Sequence, residues 1–172
     1  MQFVSIIIGS KSDAEVMSEC AEIFKKFDVP YEMIISSAHR SPARTKEYVL
    51  DAQSRGASVF IAAAGMAAHL AGAVASLTTK PVIGVPMGGG SLLGIDALLS
   101  TVQMPSGMPV GTVAIGKSGA INSAYLAMQI LALNNEELAG KLQEDRVMKA
   151  KNIELDSAEI EVLLQESCPA NL

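Results

Sequence analysis

The feature that most constrains the fold is a unit that recurs along the chain. Each unit is a short β-branched run, a turn rich in small residues, and a stretch that fits a helix. The runs are "FVSIIIG" (3–9), "YEMIIS" (31–36), "ASVFIAA" (57–63), "PVIGVPM" (81–87) and "GTVAIG" (111–116). Five such units predict an α/β fold: a parallel five-stranded sheet whose right-handed crossovers place helices on both faces.

Local signals predict where the first helices begin and what they bury. Ser12 with Glu15 matches a capping box, while Ser41 suits an N-cap and Pro42 suits the first helical position. The strongly apolar stretch 118–134 predicts a further helix. In the first helix the apolar residues fall at helical spacing, which predicts a buried stripe of Val16, Met17, Cys20, Ile23, Phe24 and Phe27.

The length of 172 residues is that of one domain of ordinary size. We predict a single α/β catalytic domain over residues 1–134 and a helical tail over 135–172. The stretch 135–166 is acidic and polar, which indicates one or two polar helices. The tail could pack on its own domain or cross onto a neighbouring subunit.

The composition restricts the partners. Charged residues make up 18% of the chain, below the average of about 25%, so a monomer would expose large apolar patches and we predict a homo-oligomer. The net charge of −5 disfavours a nucleic-acid partner. Without a long apolar run or a charged leader, we expect no membrane span and a cytoplasmic location. Cys20 and Cys168 match neither a disulfide framework nor a metal spacing, which fits a reducing compartment.

The loops that follow the strands are the candidate site, because ligands bind such sheets beyond the carboxyl ends of the strands, where strand order reverses. Small residues there let backbone N–H groups approach a ligand, and a helix N-terminus suits a phosphate. The spacing is neither a P-loop nor a dinucleotide fingerprint, so a small molecule with one phosphate fits best. The loops are "GSKSD" (9–13), "SSAHRSP" (36–42), "AAGMAAHLAG" (63–72) and "PMGGGSLLGID" (86–96).

Several side chains in these loops fit either a functional or a purely structural role. His39 is the best available proton carrier, although it could be a turn residue bonded to backbone. Arg40 could bind a phosphate, or pair with Asp13 or Glu15 on the surface. Asp13 could cap a helix or accept a hydrogen bond from a ribose hydroxyl. The default for His69 is a packed ring satisfied by a carbonyl, and the second alternative is contact with a ligand.

The remaining motifs limit the chemistry. No cluster has metal-ligand spacing and no serine lies in a nucleophile elbow, so we predict proton transfer with no metal or other cofactor. Four of the methionines are interpreted as packing residues, namely Met17, Met66, Met104 and Met108.

Together with "GIDALLSTVQMPSGMPVGTVAIG" and "GAINSAYLAMQIL", these loops resemble the class I 5-(carboxyamino)imidazole ribonucleotide mutase (PurE) family over about residues 3–133. The resemblance implies a three-layer flavodoxin-like sandwich that assembles as an octamer. It implies an isomerase of purine biosynthesis that moves a carboxylate from the exocyclic nitrogen of an aminoimidazole ribonucleotide to a ring carbon, without a cofactor. The substrate is unstable, so a transient contact with the synthetase that makes it could hand it over.

The resemblance also implies roles for individual residues. His39 corresponds to the catalytic histidine, which would protonate the carbamate nitrogen, release carbon dioxide and later take up the ring proton. A closed pocket of alanine and glycine would hold the carbon dioxide beside the ring. The implied substrate-binding residues are Ser10, Asp13, Ser37, Ala38, Arg40, Gly65, Ala67, His69 and Leu70.

Some positions depart from the family pattern. Met66 stands where the family usually has a second glycine, Ala71 where it has proline, and Ser41 where it has threonine, while "GGGS" at 88–91 is unusually rich in glycine. One alternative activity joins free carbon dioxide to aminoimidazole ribonucleotide. Such proteins typically carry "SAHK" and lack "AAHL", so Arg40 and His69 argue against it. Another alternative is a non-catalytic phosphate-binding module on the same fold.

Overall fold

The computed structural model describes residues 2–162 of the chain. The strands are β1 (Phe3–Ile8), β2 (Tyr31–Ile35), β3 (Ala57–Gly65), β4 (Val82–Met87) and β5 (Gly111–Thr112). The α-helices are α1 (Ala14–Lys26), α2 (Pro42–Arg55), α3 (Leu70–Ala75), α4 (Ile95–Val102), α5 (Lys117–Ala132) and α6 (Glu136–Ile160), and a 3-10 turn covers Lys11–Asp13.

The strands form one five-stranded sheet in the order β2-β1-β3-β4-β5, and every neighbouring pair is parallel. The chain leaves β1 for β2 on one side and returns to β3 on the other, so strand order reverses between β1 and β3. This is the flavodoxin-like order. The predicted α/β class and parallel sheet are confirmed.

Two cores, one on each face of the sheet, give the three layers. Successive residues of a strand point to opposite faces, and Ile6 accordingly packs among α1, α5 and α6, whereas Ile7 packs among α2 and α3. Every residue of β1 is buried, which explains why this strand reads as a continuous apolar run. The predicted stripe of α1 packs into the first of these cores.

The start of α1 differs from the predicted capping box. The helix begins at Ala14, and the 3-10 turn before it takes up Ser12. Ser10 caps that turn, because its hydroxyl accepts the N–H of Ser12. Ser12 therefore lies one residue before the N-cap position of α1, which Asp13 occupies, and the predicted capping box with Glu15 is wrong.

The start of α2 is predicted correctly in position but not in its bonding. Ser41 is the N-cap and Pro42 is the first helical residue, yet the Ser41 hydroxyl makes no cap hydrogen bond to α2. It turns back into the preceding loop instead, where it accepts the N–H of Ser37 at 3.0 Å.

The outer elements are less regular than predicted. The β5 ladder covers only Gly111–Thr112 of the predicted 111–116. Between residues 135 and 162 the polar tail forms one helix, α6, which contributes Leu138 to the core. Residues 163–166 of the predicted helical stretch, and Cys168, lie outside the described residues. Within residues 2–162, no helix has the length and apolarity to cross a membrane.

Candidate active site

The loops at the carboxyl ends of the strands enclose a cleft of about 660 Å³. It lies beside the reversal of strand order between β1 and β3, where an open α/β sheet binds its ligands. Every site residue predicted from the sequence lines this cleft: Ser10, Asp13, Ser37, Ala38, His39, Arg40, Gly65, Ala67, His69 and Leu70.

Two imidazoles face each other in the cleft. Nε2 of His39 lies 2.8 Å from Nδ1 of His69, and the rings meet edge to face at 79°. Such a hydrogen bond needs one nitrogen that donates and one that accepts, so it forms only while at least one of the two is unprotonated. The alternative of a packed His69 satisfied by a carbonyl is wrong, because its ring is exposed and its partner is the other imidazole.

A compact turn of hydroxyl groups holds His39 in place. The N–H of Ser36 donates to the carbonyl of Ile8 at 3.0 Å, which ties the turn to the end of β1. The buried hydroxyls of Ser36 and Thr45 lie 2.8 Å apart and tie it to α2. The Ser37 hydroxyl accepts the N–H of Arg40 at 3.2 Å. These bonds fix the backbone on both sides of His39.

Arg40 reaches across to the first loop. Its Nη2 donates to the carbonyl of Gly9 at 3.1 Å, and the N–H of Gly9 donates to the carbonyl of Ala63 in β3 at 2.9 Å. In residues 2–162 Arg40 forms no ion pair with Asp13 or Glu15, so the surface pairing considered from the sequence is wrong. A guanidinium has five N–H donors, which leaves others for a ligand.

Asp13 lies half-buried at the start of α1 with hydroxyls around it. The Ser12 hydroxyl lies 3.0 Å from the Ser10 hydroxyl and 3.3 Å from Oδ1 of Asp13. Burial raises the pKa of Asp13, and hydrogen bonds from Ser12 and the backbone of Ser10 oppose the rise. The Asp13 side chain makes no cap hydrogen bond to α1, so the helix-cap alternative is wrong and the carboxylate can accept from a ligand.

The opposite wall is apolar and glycine-rich. It carries Met66, whose side chain is 64% exposed, so the prediction that this methionine packs in the core is wrong; Met17, by contrast, is buried. Gly88, Gly89 and Gly90 face it from the loop after β4.

The lining residues missed from the sequence are Gly9, Ser12, Val16, Ala64, Met66, Met87 and Gly88–Gly90. Most of them lie inside the four quoted loops, so their positions in those loops were the available signal. In a single chain His39, Arg40, Met66 and His69 are all exposed, so one chain alone does not form the predicted closed pocket.

A second groove, of about 720 Å³, lies between α5 and α6. Its described lining residues include no histidine and one carboxylate, that of Asp145, which already accepts hydrogen bonds from Lys26, Lys149 and Tyr125. Among residues 2–162, no three His, Cys, Asp or Glu side chains are grouped so that they could hold a metal ion. The cleft with the paired imidazoles is therefore the candidate active site.

Relatives of known function match most of the chain. The N5-carboxyaminoimidazole ribonucleotide mutase of Saccharolobus solfataricus is 53% identical over 144 residues, which is 84% of this chain and 90% of the relative. The proteins of the same name from Bacillus subtilis and Escherichia coli K12 are 52% and 49% identical over 143 residues each, which is 83% of this chain and 88% and 85% of theirs.

Solved structures give the same picture. A crystal structure of Treponema denticola PurE superposes with a TM-score of 0.85 at 26% identity and covers 94% of this chain and 100% of that one. That of a point variant of Treponema denticola PurE2 also gives 0.85, at 25% identity, and covers 94% and 99%. The family model described as AIR carboxylase matches residues 3–152, and the chain therefore belongs to this family.

Proposed function

We propose that the protein is a 5-(carboxyamino)imidazole ribonucleotide mutase, an isomerase of purine biosynthesis. It moves the carboxylate of its substrate from the exocyclic nitrogen to the ring carbon, which gives 4-carboxy-5-aminoimidazole ribonucleotide. The proposal is carried by the identity of about half the residues to mutases over 83–84% of the chain. The structure supports it, because the imidazoles of His39 and His69 meet in the cleft where strand order reverses.

The proposed mechanism needs one proton that is given and then recovered. His39 donates it to the carbamate nitrogen, the bond from that nitrogen to the carboxylate carbon breaks, and carbon dioxide and aminoimidazole ribonucleotide form. The ring carbon then attacks the carbon dioxide, and His39 removes the proton from that carbon. His69 acts as a positioning residue, because its hydrogen bond orients the His39 ring.

The polar residues of the cleft bind the phosphate and ribose of the substrate, and the apolar residues face its reacting end. Arg40 binds the phosphate, with a guanidinium already held over the first loop by Gly9. Ser10 and Asp13 bind the ribose hydroxyls, and Ser37 and Ala38 offer backbone groups at close range. On the other side, Gly65, Ala67 and Leu70 form an apolar wall beside the released carbon dioxide, which is itself small and apolar. No cofactor takes part in this scheme.

The second candidate is a carboxylase that joins free carbon dioxide to aminoimidazole ribonucleotide. The description of the matching family model, AIR carboxylase, favours it, whereas the names of the half-identical relatives favour the mutase. An ultraviolet assay with freshly prepared carboxyamino substrate decides between them. We expect rapid product formation from that substrate. Product formed only from aminoimidazole ribonucleotide and bicarbonate would make the chain a carboxylase, and no product from either would favour a non-catalytic binding module.

We also propose that the protein is a homo-oligomer, with an octamer as the form implied by the resemblance. Support comes from an apolar surface on and before α4, where five large side chains are between about half and four-fifths exposed: Leu92, Leu93, Ile95, Leu99 and Val102. Such a patch on one chain is typical of an interface. Whether the tail from residue 135 packs on a neighbour stays a prediction.

The cellular setting also stays a prediction. The buried thiol of Cys20 is free, which supports a reducing cytoplasm. The instability of the carboxyamino substrate supports a transient contact with the synthetase that produces it.

A further inference from the structure

Met66 has a backbone conformation that its side chain does not favour. Its φ is +54°, in the left-handed region where Cβ crowds the following carbonyl and where glycine is the usual residue. The side chain is 64% exposed, so core packing does not offset that cost. A strained residue at a site is a reason to look for a role there.

The position of Met66 relates it to the loop across the cleft. A Cβ built on Gly90 would lie 3.8 Å from Cγ of Met66, and one built on Gly89 would meet nothing within 4 Å. The methionine therefore reaches the rim of the cleft opposite a loop with no side chains of its own at Gly88–Gly90. Because Gly88–Gly90 carry no side chains, the flexible thioether side chain of Met66 has space to cover this part of the cleft.

The cleft has a polar end and an apolar end, and Met66 stands at the apolar one. Ser10, Asp13 and Arg40 line the side of the first and second loops, whereas Met66 follows the alanines and glycine that end β3. The other large apolar residues of this wall, Leu70 and Met87, are buried at 2% and 3% exposure. Met66 is thus the large apolar residue of this wall that is exposed in a single chain.

We propose that Met66 is a retention residue: its side chain shields the apolar end of the cleft, so that carbon dioxide released from the substrate is recaptured before it escapes. The inference rests on the proposed mutase function. The thioether of Met66 cannot carry a proton, so the proton transfer assigned to His39 does not depend on it. What changes is the partition of carbon dioxide between recapture and loss to solvent.

The test follows isotope from solvent into product. Unlabelled carboxyamino substrate is converted in buffer that contains ¹³C-bicarbonate and carbonic anhydrase, and the labelled fraction of the early product is measured by mass spectrometry. A parallel reaction started from aminoimidazole ribonucleotide corrects for capture of free carbon dioxide. The variants are Met66→Ala, Met66→Gly, which suits the left-handed backbone, and Met66→Leu, which keeps the apolar bulk. Met148→Ala is the matched control, since Met148 is 60% exposed on α6, outside the cleft lining.

We expect Met66→Ala and Met66→Gly to raise the labelled fraction severalfold, while Met66→Leu and Met148→Ala stay near the wild-type value. A labelled fraction in Met66→Gly equal to that of the wild type would overturn the inference, whatever happens to the turnover rate. Failure of the wild-type protein to convert the carboxyamino substrate would instead overturn the proposed function, so the two failures are distinguishable.

Discussion

At the scale of single residues, the pairing of His39 with His69 decides how the cleft can handle a proton. Each ring is the other's partner at 2.8 Å, and the hydroxyl turn around Ser36 holds one of them in place. An asparagine at position 39 keeps a hydrogen-bonding group of similar size but cannot carry the proton through the reaction.

We therefore expect His39→Asn to bind the ribonucleotide within a few fold of the wild type. Its turnover should fall on the order of a hundredfold or more, as for a lost general acid-base group. Steady-state kinetics with the carboxyamino substrate, together with calorimetric binding of aminoimidazole ribonucleotide, measures both. An equal loss of affinity and rate would mean that the role of His39 is misassigned.

Arg40 should behave in the opposite way, because a phosphate contact is made equally in the ground state and the transition state. We expect Arg40→Ala to raise KM by about 10- to 100-fold, the range for a lost hydrogen bond to a charged group, with a much smaller change in kcat. Arg44→Ala is the control, since Arg44 is exposed in the first turn of α2 and lies outside the cleft lining. A KM unchanged in Arg40→Ala would place the phosphate elsewhere.

At the scale of elements, the carboxylate of Asp145 links α6 to α1 and α5 by hydrogen bonds. Asp145, with a side chain only 8% exposed, accepts from Lys149 at 2.8 Å, from Tyr125 of α5 at 2.9 Å and from Lys26 of α1. Burial raises the pKa of Asp145, but the hydrogen bonds from Lys149, Lys26 and Tyr125 outweigh it and lower the pKa to about 2.

The lowered pKa gives the pH dependence of stability. The unfolded carboxyl titrates near 3.8, so its contribution is present above that pH and is lost as the pH falls through about 2. We expect Asp145→Asn to lower the free energy of unfolding at pH 7 by about 1–3 kcal/mol, with a difference from wild type that shrinks below about pH 4. Urea titrations from pH 7 to pH 3 measure this. Glu144→Gln, at an exposed neighbouring position, should leave stability nearly unchanged; a pH-independent deficit in Asp145→Asn would contradict the assignment.

The sequence predicted these elements unevenly, for physical reasons. Strands such as β1 are buried on both faces, so their apolar runs stand out and predict the parallel sheet. The start of a helix depends on which of several nearby hydroxyls accepts a hydrogen bond from a free backbone N–H. Before α1 that hydroxyl belongs to Ser10 and not to Ser12. The loops were found because strand ends must meet at one edge. The contact between His39 and His69 joins residues from separate loops, which spacing along the chain cannot reveal.

At the scale of the whole molecule, the apolar surface of α4 should be covered by other copies of the chain. We expect the wild type to sediment as an oligomer and Leu99→Glu to shift it towards smaller species, because a charge in an apolar interface is costly to desolvate. Sedimentation equilibrium measures this, with Lys46→Glu on the exposed face of α2 as the control. A wild-type monomer, or an oligomer indifferent to Leu99→Glu, would contradict the prediction.

Among residues 2–162, the lining of the cleft begins at Gly9 and ends at Gly90, so the described side chains that one protomer contributes to it come from roughly the first half of the polypeptide. During translation all of these residues leave the ribosome before the last two helices, α5 and α6, do. The last two helices act on the cleft from a distance instead, because α5 and α6 pack against the face of the sheet that carries Ile6.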